Sequence, residues 1–276
     1  MKVNRRCEPE RIAPDTYVIR QLFGEGLAPA AVYVNSMVIA GPEPVIVDTG
    51  PAVARDDWMA DVFSIVDPAD VRWVFLSHDD ADHVGNLPEV LDMCPNATLV
   101  TNMFTIERMA SDYMLPIHRA RIVNDGDRFS AGDRDLVAVV PPTFDSPTTR
   151  GLLDTRTGVY WGVDSFGTPV PTEITDVAEL DPDFYQAGFL QMNRLLSPWH
   201  RWLDGAKYGS HLDRVRNLGS SVVANAHGPS LKGDQIGTAL DMLGRLPDLP
   251  AAPVPGQEVL EALVAFITNP SQPQAA

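Results

Sequence analysis

The sequence predicts an α/β fold, and three observations carry that expectation. Strand, helix and strand patterns succeed one another between residues 45 and 76. Four apolar, β-branched runs lead directly into loops bearing a carboxylate or an imidazole. Finally, 45% hydrophobic residues in a chain of 276 are enough to bury a sizeable core. A single domain over residues 1–268 is expected, followed by a Pro- and Gln-rich tail, 269–276, expected to be disordered.

Residues 11–20 end in a strand-like run, and 30–39 form a longer one, with Gly24 and Gly26 in the connection. Gly41-Pro42-Glu43-Pro44 is a turn before the run 45–47, which ends in Asp48-Thr49-Gly50-Pro51. Asp48 can orient a metal-ligating loop, or simply close its own turn onto nearby backbone N–H groups. Residues 53–66 carry a helical stripe of Trp58, Val62, Phe63 and Val66, which leads into the strand pattern 71–76.

That strand opens onto the densest chemistry in the chain, Ser77-His78-Asp79-Asp80-Ala81-Asp82-His83-Val84-Gly85-Asn86. Two imidazoles and three carboxylates fall within six residues. An extended loop would aim His78, Asp80 and Asp82 to one side, with His83 starting the turn into a helix through Leu87 and Val90. Like charges so close need compensation, which a divalent cation supplies most directly because carboxylate and neutral imidazole are its ligands.

Beyond the loop, 97–100 reads as a strand and 103–114 as a helix whose Met103, Phe104, Met109 and Met114 are expected to fill core. His118, with no partner nearby in sequence, is expected to be structural or superficial. Strand patterns resume at 136–140, 151–154 and 159–163. Asp145 lies between the first two, and Asp164 directly follows the third. Residues 176–218 look mainly helical. Their Trp199, Trp202 and Tyr208 are expected to pack, with lining of a site entrance as the alternative, and His200 and His211 are expected not to be ligands. A last strand pattern, 221–226, ends in His227-Gly228-Pro229, and helical patterns at 234–245 and 257–267 complete the chain. There is no internal repeat at solenoid periods and no Gly-rich phosphate loop.

The formal charge of −16, from 37 acids and 21 bases, would repel a nucleic-acid backbone or an anionic membrane. Neither is an expected partner. No apolar run resembles a signal peptide or a membrane span, so a cytoplasmic protein is expected. Cys7 and Cys94 are too few for a disulfide framework and lack metal-ligand spacing, so reduced thiols are expected, Cys94 as packing.

Asp48, the segment 77–86, Asp164 and His227, each after an apolar strand and in this order, resemble the metallo-β-lactamase superfamily over roughly residues 12–245. The resemblance implies an αββα sandwich, two mixed β-sheets flanked by helices, with the metal site where strand ends meet. Asp80 stands where hydrolases of the superfamily carry their second histidine, and an acidic residue there is similar to the flavodiiron and oxygen-binding di-iron branch, which usually places glutamate at that point. The intervals from His83 to Asp145, to Asp164 and to His227, 62, 19 and 63 residues, are similar to that branch's ligand spacing. The run Gly162-Val163-Asp164-Ser165-Phe166-Gly167 resembles its bridging-aspartate segment.

Carried over, the resemblance implies that Asp82, His83 and His227 hold one metal, that His78 and Asp80 hold the other, and that Asp164 bridges them. Where the family has a further histidine this sequence has Asp145. Either Asp145 ligates, or the metal on that side is weakly held or absent. A flavodoxin-like domain typical of flavodiiron enzymes is not found in these residues, so a separate electron-donor protein is expected. By donor chemistry alone, three histidines and up to four carboxylates suit iron or manganese, although zinc accepts the same ligands.

Three functions follow as expectations. One is a di-iron oxidoreductase or oxygen-binding protein acting on O₂ or NO. Another is a metal-dependent hydrolase of an ester, thioester, lactone or phosphoester, acting on a small-molecule substrate. The third is a non-catalytic oxygen or metal sensor. Loops around 20–30 and 165–210 are expected to set specificity.

Overall fold

Strands that bury both faces need a layer on each side, and this chain supplies three interfaces for two sheets. The computed structural model describes residues 4–26, 30–111 and 113–268; the tail expected to be disordered lies outside them. In chain order the elements are β1 (Asn4–Ala13), β2 (Thr16–Phe23), β3 (Val32–Ile39), β4 (Val45–Val47), α1 (Arg55–Ile65), β5 (Trp73–Phe75), α2 (Ala81–Val84) and α3 (Leu87–Met93). Then come β6 (Thr98–Thr101), α4 (Met103–Met109), β7 (Ala120–Ile122), β8 (Arg128–Ser130), β9 (Asp135–Val139), β10 (Gly151–Asp154) and β11 (Val159–Trp161). The chain closes with α5 (Pro182–Leu196), α6 (Gly205–Arg216), β12 (Val222–Ala224), β13 (Leu231–Lys232), α7 (Asp234–Gly244) and α8 (Gln257–Thr268).

One sheet has the order β1-β2-β3-β4-β5-β6-β7 and the other β13-β12-β11-β10-β9-β8. Both are mixed. In the first, β1 to β4 pair antiparallel and β4 to β7 parallel; in the second only β11 and β12 are parallel.

Side chains alternate faces along a strand, so each strand feeds two cores. Met37, Ile39, Val45, Val47 and Phe75 meet Leu136, Leu152, Val159, Trp161 and Ala224 between the sheets. Their neighbours Val38, Ile46 and Val74 face the other way, onto Trp58 and Val62 of α1 and Leu87, Val90 and Leu91 of α3. On the second sheet Leu153, Tyr160 and Val223 face Phe189 of α5, Leu212 of α6 and Leu240 and Leu243 of α7. The result is the expected αββα sandwich.

Three local expectations are corrected. β1 carries a strand that its polar sequence conceals: it is an edge strand, with Cys7 buried and Arg5 and Arg6 exposed. The helix after His83 is two helices, α2 and α3, because Gly85-Asn86 and Pro88 separate them. Of the four residues expected to fill core around α4, only Met109 does; Met103, Phe104 and Met114 are 51%, 60% and 76% exposed. Both cysteines are buried free thiols, Cys94 within the core under α3. Among the described residues no helix is long and apolar enough to cross a membrane.

Candidate metal centre

The parallel pairs β4–β5 and β11–β12 fix where the chemistry gathers. Parallel neighbours end on the same side, so the loops after Val47 and Phe75 emerge together, as do those after Trp161 and Ala224. The two sheets are tied at this edge: the Asn35 amide donates to Ala226 O (2.8 Å), and the Arg150 amide to Ser77 O (2.8 Å). Asp48, His78, His83, Asp164 and His227 therefore converge, though they come from loops far apart in sequence.

At the centre lies Asp164, 2% exposed, whose two oxygens face opposite clusters. Oδ1 is 3.1 Å from His83 Nε2 and 3.0 Å from His227 Nε2, and Asp82 Oδ2 lies 3.5 and 3.6 Å from those nitrogens. Oδ2 is 3.4 Å from His78 Nε2, which is 3.7 Å from Asp80 and 3.9 Å from Asp145. Within each of three sets, His78–His83–Asp164, Asp82–His83–His227 and His78–Asp80–Asp145, the potential ligand atoms lie within 4.8 Å of one another. All seven residues singled out in the sequence are thus brought together. One detail differs: Asp82, in the one-turn helix α2 rather than in an extended loop, groups with His83 and His227 and not with His78 and Asp80.

Nε2 of His78 and of His83 and both oxygens of Asp164 are buried and make no hydrogen bond. Buried polar atoms are normally paired, and a set of unpaired donors aimed at common points fits a cation. The electrostatics agree. Burial disfavours charge on His83, yet the carboxylates of Asp164 and Asp48 outweigh it and push its pKa well above the ordinary value. Burial would raise Asp164, but His78 and His83 hold it well below the usual carboxylate range. The cluster draws positive charge onto His83 and His227, which is the demand that metal ions satisfy.

Each imidazole has its Nδ1 occupied, which turns Nε2 inward. His83 Nδ1 donates to Asp48 Oδ2 at 2.9 Å, and His227 Nδ1 to Tyr33 O at 2.9 Å. His78 Nδ1 lies 3.0 Å from Ser77 Oγ, whose hydroxyl donates onward to Asp48 Oδ2 at 2.7 Å. Asp48 also accepts from the Ser77 amide (2.8 Å) and, across the sandwich, from Trp161 Nε1 (3.1 Å). Asp48 thus accepts hydrogen bonds from His83, Ser77 and Trp161 together. Ser77, Trp161 and the Tyr33 carbonyl were not legible as partners.

Strained backbone presents the central carboxylate. Val163, immediately before Asp164, has φ 59°, a left-handed conformation rare for a β-branched residue. It persists because the Ala226 amide donates to Val163 O at 2.7 Å and the Gly162 amide to Ala224 O at 2.7 Å, so β12 and the residues just after it clamp both sides.

The loop carrying Asp145 is held from several directions. The Phe144 amide donates to Ser197 Oγ (3.0 Å), and Trp199 Nε1 donates to Phe144 O (2.9 Å) while its ring packs at 4.8 Å on that of Phe144. Thr148 Oγ1 donates to Asp79 Oδ1 (2.8 Å), and Asp79 is ion-paired with Arg108 of α4. Trp199 thus supports the site, whereas Trp202 is 74% exposed and Tyr208 belongs to the core under α6. His200 donates from Nδ1 to Leu246 O and His211 from Nε2 to Pro141 O, and neither belongs to the three sets, while His118 is exposed.

Comparison with known proteins agrees with this architecture. A family model described as ODP family beta lactamase matches residues 32–228. Relatives include diflavin flavoprotein A 1 of Synechocystis sp., 26% identical, over 82% of this chain and 40% of that protein. A protein of Moorella thermoacetica named nitric oxide reductase is 22% identical, over 85% of this chain and 56% of that one. Among solved structures the fold is shared with flavodiiron proteins and with the rubredoxin oxygen:oxidoreductase of Desulfovibrio gigas. The latter aligns at TM-score 0.76 and 15% identity, over 87% of this chain and 62% of that one. At such identity the likeness is one of fold. The chain spans about two fifths of the length of the diflavin flavoproteins it matches.

Proposed function

The chain belongs to the ODP beta-lactamase family, and from that premise we propose that it is a dinuclear metalloprotein, an oxidoreductase that passes electrons from a separate donor protein to dioxygen or nitric oxide. The observation that carries this reading is Asp164, whose two oxygens each face a separate cluster of imidazole and carboxylate. Asp82, His83 and His227 would hold one metal, His78, Asp80 and Asp145 the other, with Asp164 shared. The names nitric oxide reductase and oxygen:oxidoreductase among the relatives and fold neighbours support the choice of acceptor.

A redox-active metal bound in each cluster would supply paired one-electron chemistry at a single point. The protein's own contribution is charge and order. Four carboxylates favour the more oxidised, more highly charged ions, and the hydrogen bonds from Nδ1 keep the imidazoles from turning as that charge changes. The side chains of Asp80, Asp82 and Asp145 are 43%, 33% and 29% accessible, so a small acceptor reaches the clusters past these carboxylates. With a formal charge of −16, the surface suits a donor that docks through a basic face.

The test is anaerobic reconstitution with Fe(II), followed by a chemical or rubredoxin-type reductant and electrode measurement of O₂ and NO. Reductant-dependent uptake of either gas is expected. Two bound irons without uptake, or turnover of ester substrates in its place, would remove the oxidoreductase reading.

A further inference from the structure

The two clusters around Asp164 are chemically unequal. On the Oδ1 side stand two imidazoles, His83 and His227, with one further carboxylate, Asp82. On the Oδ2 side stands one imidazole, His78, with two further carboxylates, Asp80 and Asp145. Counting Asp164 in both, the donor sets are two imidazoles with two carboxylates, and one imidazole with three. Exposure does not separate them: the imidazoles are buried on both sides, and the outer carboxylates of Asp82, Asp80 and Asp145 are each partly accessible.

Imidazole strengthens a site for iron and for later first-row ions, while carboxylate and water suit manganese. Exchanging one neutral imidazole for an anionic carboxylate removes much of the advantage that Fe²⁺ holds over Mn²⁺. What remains is attraction governed mainly by charge, which is the same for both. The carboxylate is held in place by the loop contacts of Phe144, Thr148 and Trp199. Resting on the reading above that both clusters take metal, we propose that they discriminate unequally: the His83–His227 cluster selects iron over manganese, whereas the His78–Asp145 cluster takes manganese nearly as well as iron.

The experiment supplies metal-free full chain, under anaerobic conditions, with equimolar Mn²⁺ and Fe²⁺. Metal per chain is counted by mass spectrometry, and crystals are measured at the manganese and iron absorption edges. Two metals per chain are expected, iron in the His83–His227 cluster and both ions sharing the other, with the manganese-to-iron ratio in the His78–Asp145 cluster on the order of tenfold that in the His83–His227 cluster. Asp145→His, which equalises the imidazole count, should leave two metals bound and move that cluster to iron. Iron in both clusters of the unaltered protein, or manganese shared evenly, would overturn the proposal while leaving the dinuclear reading intact. Retention of no metal in either cluster would overturn both.

Discussion

Asp48 accepts the Nδ1–H of His83 at 2.9 Å from a backbone in the left-handed region, φ 59°, so the carboxylate that orients this imidazole is itself fixed by an unusual turn. Asparagine tolerates that conformation but cannot offer a carboxylate to His83, Ser77 and Trp161 together. Asp48→Asn should therefore keep the fold, read by circular dichroism, and weaken metal retention about 10- to 100-fold, read by competition with a chelator. Unaltered retention would confine Asp48 to closing its turn.

The bridging assignment is separable from the rest. Asp164→Ala removes the one side chain that faces both clusters and should strip both metals. Asp145→Ala should affect a single metal. Metal content per chain by mass spectrometry distinguishes the two variants, and full content in the first would exclude a shared ligand.

The strands that frame the site were legible because they are apolar runs cut off by a charged or polar residue: Val45–Val47 before Asp48, Trp73–Phe75 before His78, Val159–Trp161 before Asp164. A buried strand has no polar face, so its ends are its only signal, and here the ends carry the ligands. β1 was concealed for the opposite reason, since an edge strand of mostly exposed and half-buried residues satisfies its ladder without apolar alternation. The Met103, Phe104 and Met114 expectation failed because periodicity reports an apolar face, not what covers it. Ser77 and the Tyr33 carbonyl act through a hydroxyl and a backbone oxygen, groups that every sequence contains in plenty.

Gly85 marks another constraint, placed where the metal loop meets the turn after β4. A Cβ there would stand 2.3 Å from Ala52 N, 2.7 Å from Gly50 O and 2.8 Å from Ala81 O, all backbone atoms that cannot swing aside. Gly85→Ala should destabilise the fold by about 1–3 kcal/mol in urea unfolding, the range of an overpacking substitution. Wild-type stability would mean that α2 shifts freely, and a loss of metal retention should accompany the destabilisation if it does not.

Burial pushes the Cys94 thiol up to about 11, against the opposing charge of Arg119. The thiolate is the reactive form, and it is scarce at neutral pH in such a site. Cys94 should resist an aromatic disulfide reagent at pH 8 in the folded protein and react once the chain is unfolded in urea. Rapid reaction in the folded state would show that α3 opens locally.

Far from the metal edge, Arg134 joins Asp15 to Asp154 beneath the opposite end of the sandwich, with side-chain exposure of 1% for both Arg134 and Asp154. The hydrogen bond from Arg134 is the largest influence on Asp15, and it holds that carboxyl below the usual range despite partial burial. A depressed folded pKa means that the unfolded chain takes up the proton first. The pair therefore contributes its full stability above the unfolded value, about 3.9, and loses it as pH falls through the folded value. Asp15→Asn should cost about 1 kcal/mol at pH 7, because an ion-paired hydrogen bond becomes one from the guanidinium to a neutral amide oxygen at a partly exposed position. Urea unfolding at a series of pH values should show the gap between the two proteins constant from pH 7 to about 5 and closing below about 4. A gap that persists unchanged into strong acid would mean that the side chain's packing, and not its charge, supports Arg134.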